Sequence, residues 1–380
     1  MKIDDIILEV ADKAVEEIGE YGYVRAGHNG PYHDLETPCR NSAHWICLMS
    51  YLYSKTGKIL YKDTAIKLAD YILNQQLENG TFNCRNKDRK DRINGTIGAA
   101  WIIEGLVEAA KVSGSIKYYN AAVRAFNSQV YNKKYHLWER IEINDENLGF
   151  DLTYNHQLWF AAAGALISAY KYDKKIDSEV IDFLQGSKET FQVYQNGLIY
   201  HFVYFPFGTI NKLKAIKKYS RQVILRAIGR PSHQYKEEGY HYFSLYGFAI
   251  LHHYYPNHEF FQSKKFLKAL NYGMDVEKAL SLKNADAGMD ETGLANKISN
   301  TSNIYAYSYN SPAFEIPFIA KEFSCDIKME DYNKLISLQC ELTYNYENPA
   351  FSRNTEDGAT LTARLYELIR GIKEKENEEI

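Results

Sequence analysis

The chain has 380 residues, 45% hydrophobic and 24% charged, with a formal net charge of −3. These totals allow a large buried core and exclude the basic footprint of a nucleic-acid-binding protein or of one held on an anionic membrane surface. No apolar run reaches the length of a bilayer span. Five scattered cysteines, Cys39, Cys47, Cys84, Cys325 and Cys340, form no C-x-x-C pair and read as reduced, buried thiols of a cytoplasmic protein.

Apolar residues recur at helical spacing along most of the chain. Ile6, Ile7, Val10, Ala14, Val15 and Ile18 predict a first helix from Asp4 or Asp5 to Glu20, followed by a loop from Tyr21 to Pro38. Helices follow from Asn41 or Ser42 to Lys55, Leu60 to Gln76, Ile97 to Val112 and Ile116 to Val130. Asn79-Gly80 and the charged run Lys87 to Arg92 read as a loop before Asn94-Gly95-Thr96. Tyr154 to Tyr172 and Asp177 to Tyr194 make the next pair. Gly197 to Pro206 alternates and reads as a strand or an extended arm. Lys212 to Ile228 reads as a basic helix and Pro231 to Gly239 as a loop. Helices then run from Tyr240 to Tyr254, Glu259 to Tyr272 and Val276 to Leu282. A loop from Asn284 to Asn303 precedes Ile304 to Phe323, which Pro312 and Pro317 break. Ile327 to Tyr344 and Gly358 to Glu374 complete the set, and residues 375–380 form a charged tail.

The chain repeats itself. Trp45, Trp101 and Trp159 recur roughly every sixty residues, and Tyr61-x-x-x-Ala65 matches Tyr118-x-x-x-Ala122 at a similar offset. Aromatic helices alternate with amphipathic ones. Helices apolar on all sides, each paired with one that is apolar on a single face, predict an all-α fold: an (α/α)6 toroid of inner and outer helices. One domain, 1–374, is expected, with an insertion over 197–236. An open solenoid is the alternative and would need polar capping repeats. The last helix, with Leu361, Leu365, Leu368 and Ile369, is not polar.

The alternation, with Asn94-Gly-Thr-Ile-Gly-Ala-Ala-Trp-Ile-Ile-Glu-Gly-Leu and Tyr61-Lys-Asp-Thr-Ala-Ile-Lys-Leu-Ala-Asp-Tyr-Ile-Leu, resembles the six-hairpin glycosidase-like superfamily. Its members include unsaturated glucuronyl hydrolases, N-acylglucosamine epimerases and the toroid parts of uronate lyases and C5-epimerases. Glu238-Gly-Tyr-His-Tyr-Phe-Ser-Leu-Tyr-Gly and Tyr309-Asn-Ser-Pro-Ala-Phe-Glu resemble toroid proteins encoded with polysaccharide-assembly genes. The resemblance covers nearly the whole chain. It implies an oligo- or polysaccharide substrate and leaves the reaction open. The sequence carries no H-E-x-x-H, P-loop, G-x-S-x-G or G-x-G-x-x-G motif, so neither cofactor nor metal is expected.

In a toroid the inner helices run one way, so their N-termini share one mouth, with free N–H groups and positive dipole ends. Polar residues written just before those helices should meet there. Asp151 and Glu238 are the leading carboxyl pair for glycosidic-bond hydrolysis, one protonated by burial and the other ionised; Glu315 is the reserve. His156 and His241 offer the rival chemistry, proton transfer by a lyase or epimerase acting on uronic-acid sugars. His44, Asn94, Asn155, Trp159, Tyr240, Tyr309, Asn310 and Arg353 are the expected substrate contacts. Each has a plainer reading as a cap, an ion pair or a core residue. Asp286, Asp290 and Glu291 stand on a loop near the mouth. The basic segment 212–230 is a solvated face or a docking surface. A third reading is a non-catalytic carbohydrate-binding or assembly protein in surface-polysaccharide biosynthesis.

Overall fold

The computed structural model describes residues 2–204, 233–283 and 302–372. The expected basic helix, the residues Asp286, Asp290 and Glu291, and the charged tail lie outside them.

In chain order the helices are α1 (Ile3–Tyr21), α2 (Cys39–Thr56), α3 (Ile59–Gln75), α4 (Gly95–Ser113), α5 (Ile116–Asn127), α6 (Tyr154–Tyr170), α7 (Lys174–Thr190), α8 (His233–Tyr254), α9 (Lys264–Gly273), α10 (Val276–Ser281), α11 (Pro312–Glu322), α12 (Met329–Thr343), α13 (Gly358–Ala363) and α14 (Leu365–Ile372). Two kinds emerge from their sequences. α3 buries only Tyr61, Thr64, Ala65, Leu68, Ala69 and Ile72, a single stripe at helical spacing. α4 buries nearly every residue from Gly95 to Ala110 and is covered all round.

The buried helices form a closed ring. α2 packs on α4, α4 on α6, α6 on α8, α8 on α11 and α11 on α14, which returns to α2. α3, α5, α7, α9 and α12 each lie outside the inner helix that precedes them. This is the expected (α/α)6 toroid. Small residues let the inner helices approach closely: a Cβ on Gly105 would stand 2.8 Å from the Ala43 Cα. Aromatic rings fill the wider gaps between layers. Phe126 of α5 stacks on Phe160 of α6 at 4.6 Å and meets Trp138 edge-on at 5.7 Å.

Several boundaries depart from expectation. α8 begins at His233, a full turn and more before Tyr240. Residues 304–309 are turns, and the fifth inner helix starts at Pro312, where the missing N–H is harmless. The sixth inner helix is interrupted at Arg364, which ends α13. A three-stranded antiparallel sheet, β1 (Val130–Asn132), β2 (Leu137–Ile141) and β3 (Asn147–Phe150), stands between α5 and α6. Sequence periodicity misses it because its strands are short and only Leu137 and Trp138 are fully buried. A second pair, β4 (Tyr344–Asn345) and β5 (Ala350–Phe351), follows α12. Residues 197–204 are an arm, held by the bridges Val193↔Ile199 and Thr153↔Phe202. All five cysteines are unpaired.

Candidate functional site

A cavity of about 550 Å³ opens where the inner helices begin. The segments before α2, α4 and α6 supply Asn29, Asp34, Asn94 and Asp151; α8 supplies Lys236, Tyr240 and Phe243; Tyr309 precedes α11, and Arg364 sits at the break before α14. Lys236, Tyr240 and Phe243 are spaced to share one face of α8.

The sheet delivers Asp151 to this cavity directly after β3. One carboxylate oxygen, Oδ1, accepts the Thr153 N–H at 3.0 Å. The other, Oδ2, accepts the Thr96 N–H at 3.0 Å and lies 2.8 Å from His156 Nδ1. Asp151 therefore satisfies orphan amides of two helices, α4 and α6, while orienting an imidazole. Burial alone would raise its pKa, but the His156 ring and the two amides outweigh that and hold it at about 2. Of the two states expected in the carboxyl pair, Asp151 is held in the ionised one. With Nδ1 committed to the carboxylate, the His156 nitrogen left for the cavity is Nε2.

Asn94-Gly95-Thr96 makes room for this pair. Gly95 takes φ +62° and donates its N–H to Asp91 Oδ1 at 2.7 Å. Asn94 occupies the N-cap position of α4 with no side-chain cap; its Oδ1 accepts Arg85 Nη1 at 2.8 Å. A sequence that reads as a cap thus spends its side chain on the cavity wall.

Asn155 also lines the cavity, and its buried Oδ1 has no hydrogen-bond partner among the described residues. The Tyr309 hydroxyl donates to Asn29 Oδ1 at 2.6 Å. Arg364 sits 5.1 Å from the Tyr309 and Phe243 rings and donates to Glu367 at 2.6 Å. Aromatic faces beside fixed cations suit a hydroxyl-rich ring.

Other expected residues stand elsewhere. Glu238 is half-buried and outside the cavity lining; its charge acts on Tyr272 of the outer helix α9. The physical reason is the early start of α8, which turns position 238 away from the face of Lys236 and Tyr240. His241 is a core histidine: Ile199 N–H donates to its Nδ1 at 3.4 Å, and Nε2 donates to Ala269 O at 3.1 Å. Glu315 is fully buried beside Arg364 and Glu367, away from the cavity. Trp159 stacks on Phe243 at 4.7 Å and donates to its carbonyl. Asn310 donates to Gly239 O and Tyr305 O. His44 stacks on Tyr366 at 4.1 Å. Arg353 is exposed beyond the cavity. None of these seven, all expected at the site, lines the cavity.

The sequence reading also missed residues. His201 lines the cavity from the arm; its carbonyl accepts the Tyr154 N–H at 2.9 Å, which lays the arm over the start of α6. The aromatic run Tyr200-His201-Phe202 was its signal. Arg85 and Lys236 were concealed in stretches that read as loop, and Arg140 in the unassigned stretch between Val130 and Gly149.

The fold class is that of toroid carbohydrate enzymes of known structure. A sugar epimerase from a ruminal bacterium superimposes with a TM-score of 0.61 at 11% identity, covering 98% of this chain and 100% of its own. An unsaturated glucuronyl hydrolase from Streptococcus agalactiae gives 0.60 at 12% identity, covering 97% and 92%. At such identities the likeness is one of fold. The sequence itself is 30% identical over 379 residues to archaeal glycosylation protein Q of Haloferax volcanii, covering 97% of both chains, and the chain belongs to that protein's family. No family model matches it.

Proposed function

We propose that the chain is an enzyme of carbohydrate processing that moves a proton at a sugar carbon, an epimerase- or lyase-type reaction with His156 as the base. The observation that carries this reading is the 2.8 Å contact of His156 Nδ1 with Asp151, beside the cavity. Nε2 would take the proton from a carbon next to a carbonyl or carboxylate. The electron pair passes to that oxygen as an enolate, which Asn155 and Arg364 are placed to stabilise. His201, a second imidazole lining the same cavity, is the group to return a proton to the carbon. Return to the opposite face gives the epimer; loss of a leaving group from the neighbouring carbon gives an unsaturated product.

Hydrolysis by Asp151 and Glu238 has less support. Among the described residues the carboxylates lining the cavity are all engaged: Asp34 with Lys90 at 2.7 Å, Asp91 with Arg85 at 3.0 Å and Asp151 with His156. None is set up as a protonated acid. The family's link to glycosylation supports a sugar substrate. The deciding experiment is proton magnetic resonance in heavy water with a panel of hexoses, N-acylhexosamines and uronates. The expected result is solvent deuterium entering at one sugar carbon, abolished in His156→Asn. Release of reducing sugar without exchange, unaffected by His156→Asn, would reverse the assignment.

A further inference from the structure

The run Arg85-Asn-Lys-Asp-Arg-Lys-Asp-Arg92 holds five cations and two acids. It is not a free solvated loop. Asp34, a fully buried carboxylate, draws Lys90 to 2.7 Å, Arg85 to 3.4 Å and Lys87 to 3.5 Å. Asp91 takes Arg85 at 3.0 Å and Arg140 at 3.3 Å. Two carboxylates thus hold four cations, three of which line the cavity, and positive charge is left over. Arg89 lines the same cavity with no hydrogen bond or ion pair among the described residues. Its backbone is left-handed, φ +64°, a conformation that costs a non-glycine residue energy and tends to mark functional positions. On the facing side, Lys236 Nζ lies 4.8 Å and Lys90 Nζ 5.8 Å from the Tyr32 ring centroid, so the cationic rim continues from this loop to α8.

We propose that this wall is a phosphate site, and that the sugar presented to His156 carries a phosphate, either as a sugar phosphate or as a sugar joined to a carrier through a phosphodiester. The inference rests on the proton-transfer reading for what happens next, but not for binding. A carboxylate or a phosphodiester would offset one charge of the surplus. A phosphate monoester carries roughly −1.5 to −2 and offers three acceptor oxygens to guanidinium and ammonium donors.

The test is calorimetric titration of the full chain with inorganic phosphate, dimethyl phosphate and acetate at two salt concentrations. Phosphate should bind about tenfold more tightly than acetate and weaken as salt rises. Arg89→Ala and Lys236→Ala should each weaken it about tenfold, while Arg25→Ala, an exposed cation of the surface, should not. Binding of inorganic phosphate alone points to a monoester; dimethyl phosphate binding as well points to a carrier-linked diester. Acetate binding as tightly as phosphate, no phosphate binding, or indifference to Arg89→Ala would each overturn the proposal. His156→Asn should leave phosphate binding intact, so failure of the catalytic reading and failure of this site are separable.

Discussion

A Cβ on Gly95 would stand 2.2 Å from Oδ2 of Asp151 and 2.6 Å from Nδ1 of His156. Gly95 also holds φ +62°, so two independent constraints fix glycine there. Gly95→Ala should therefore push the carboxylate off the imidazole. The expected cost is about 1–3 kcal/mol of stability and most of the activity. Gly19→Ala in α1, where nothing lies within 4 Å of the added carbon, should be neutral or slightly stabilising. Urea denaturation of both variants checks the contrast.

Asp151 gives a pH signature. Its carboxyl is held at about 2 in the fold against an ordinary value of 3.8, so the folded state favours the ionised form. That stability is present above the unfolded value and is lost as pH falls through the folded one. Wild type should exceed Asp151→Asn by roughly 2 kcal/mol at pH 7, and the gap should close between about pH 4 and pH 2. Activity should fall at least about a hundredfold in the same variant, because an amide no longer fixes the imidazole tautomer. A stability gap that stays constant down to pH 2 would contradict an Asp151 carboxylate held ionised by the fold.

The core beneath the cavity predicts the opposite slope. Burial pushes the Glu315 carboxyl well up, reinforced by the charge of Glu367, whose own carboxyl burial also raises. Both Glu315 oxygens lack hydrogen-bond partners among the described residues. A raised folded value means that the unfolded state gives up its proton first, so stability falls as pH rises above about 4.5. Glu315→Gln should flatten that decline, with the melting temperature at pH 8 rising relative to wild type. An unchanged pH profile of melting would show that Glu315 is ionised in the fold.

Glu238→Gln should keep activity within about twofold, since Glu238 is outside the cavity lining and its charge acts on Tyr272. A loss of a hundredfold or more would restore the carboxylate-pair mechanism.

Much of the architecture was legible because it depends on helical periodicity. The recurring tryptophans and the Tyr-x-x-x-Ala stripes marked inner and outer helices correctly. Expected residues line the cavity chiefly where a side chain lies next to a helix start set by local sequence, as at Asn94, Asp151, Asn155 and His156. Where the start was misjudged, orientation failed with it: with α8 beginning at His233, Lys236 joins the expected Tyr240 in the cavity lining and Glu238 does not. The loop cations failed for another reason. Arg85 and Lys90 are drawn into the wall by Asp34, a partner about fifty residues away whose burial no local pattern reveals.

α1 supplies a last consequence. The Tyr344 hydroxyl of β4 donates to Glu9 at 3.0 Å, and Lys13 donates to Asn348, while α1 also packs on α3. α1 is thus wedged between the first hairpin and the last, and it docks on residues 335 positions further along the chain. Folding should end in a late, rate-limiting latch. Trimming α1 should leave a barrel short of one stave, prone to capture the same stave from a neighbouring copy.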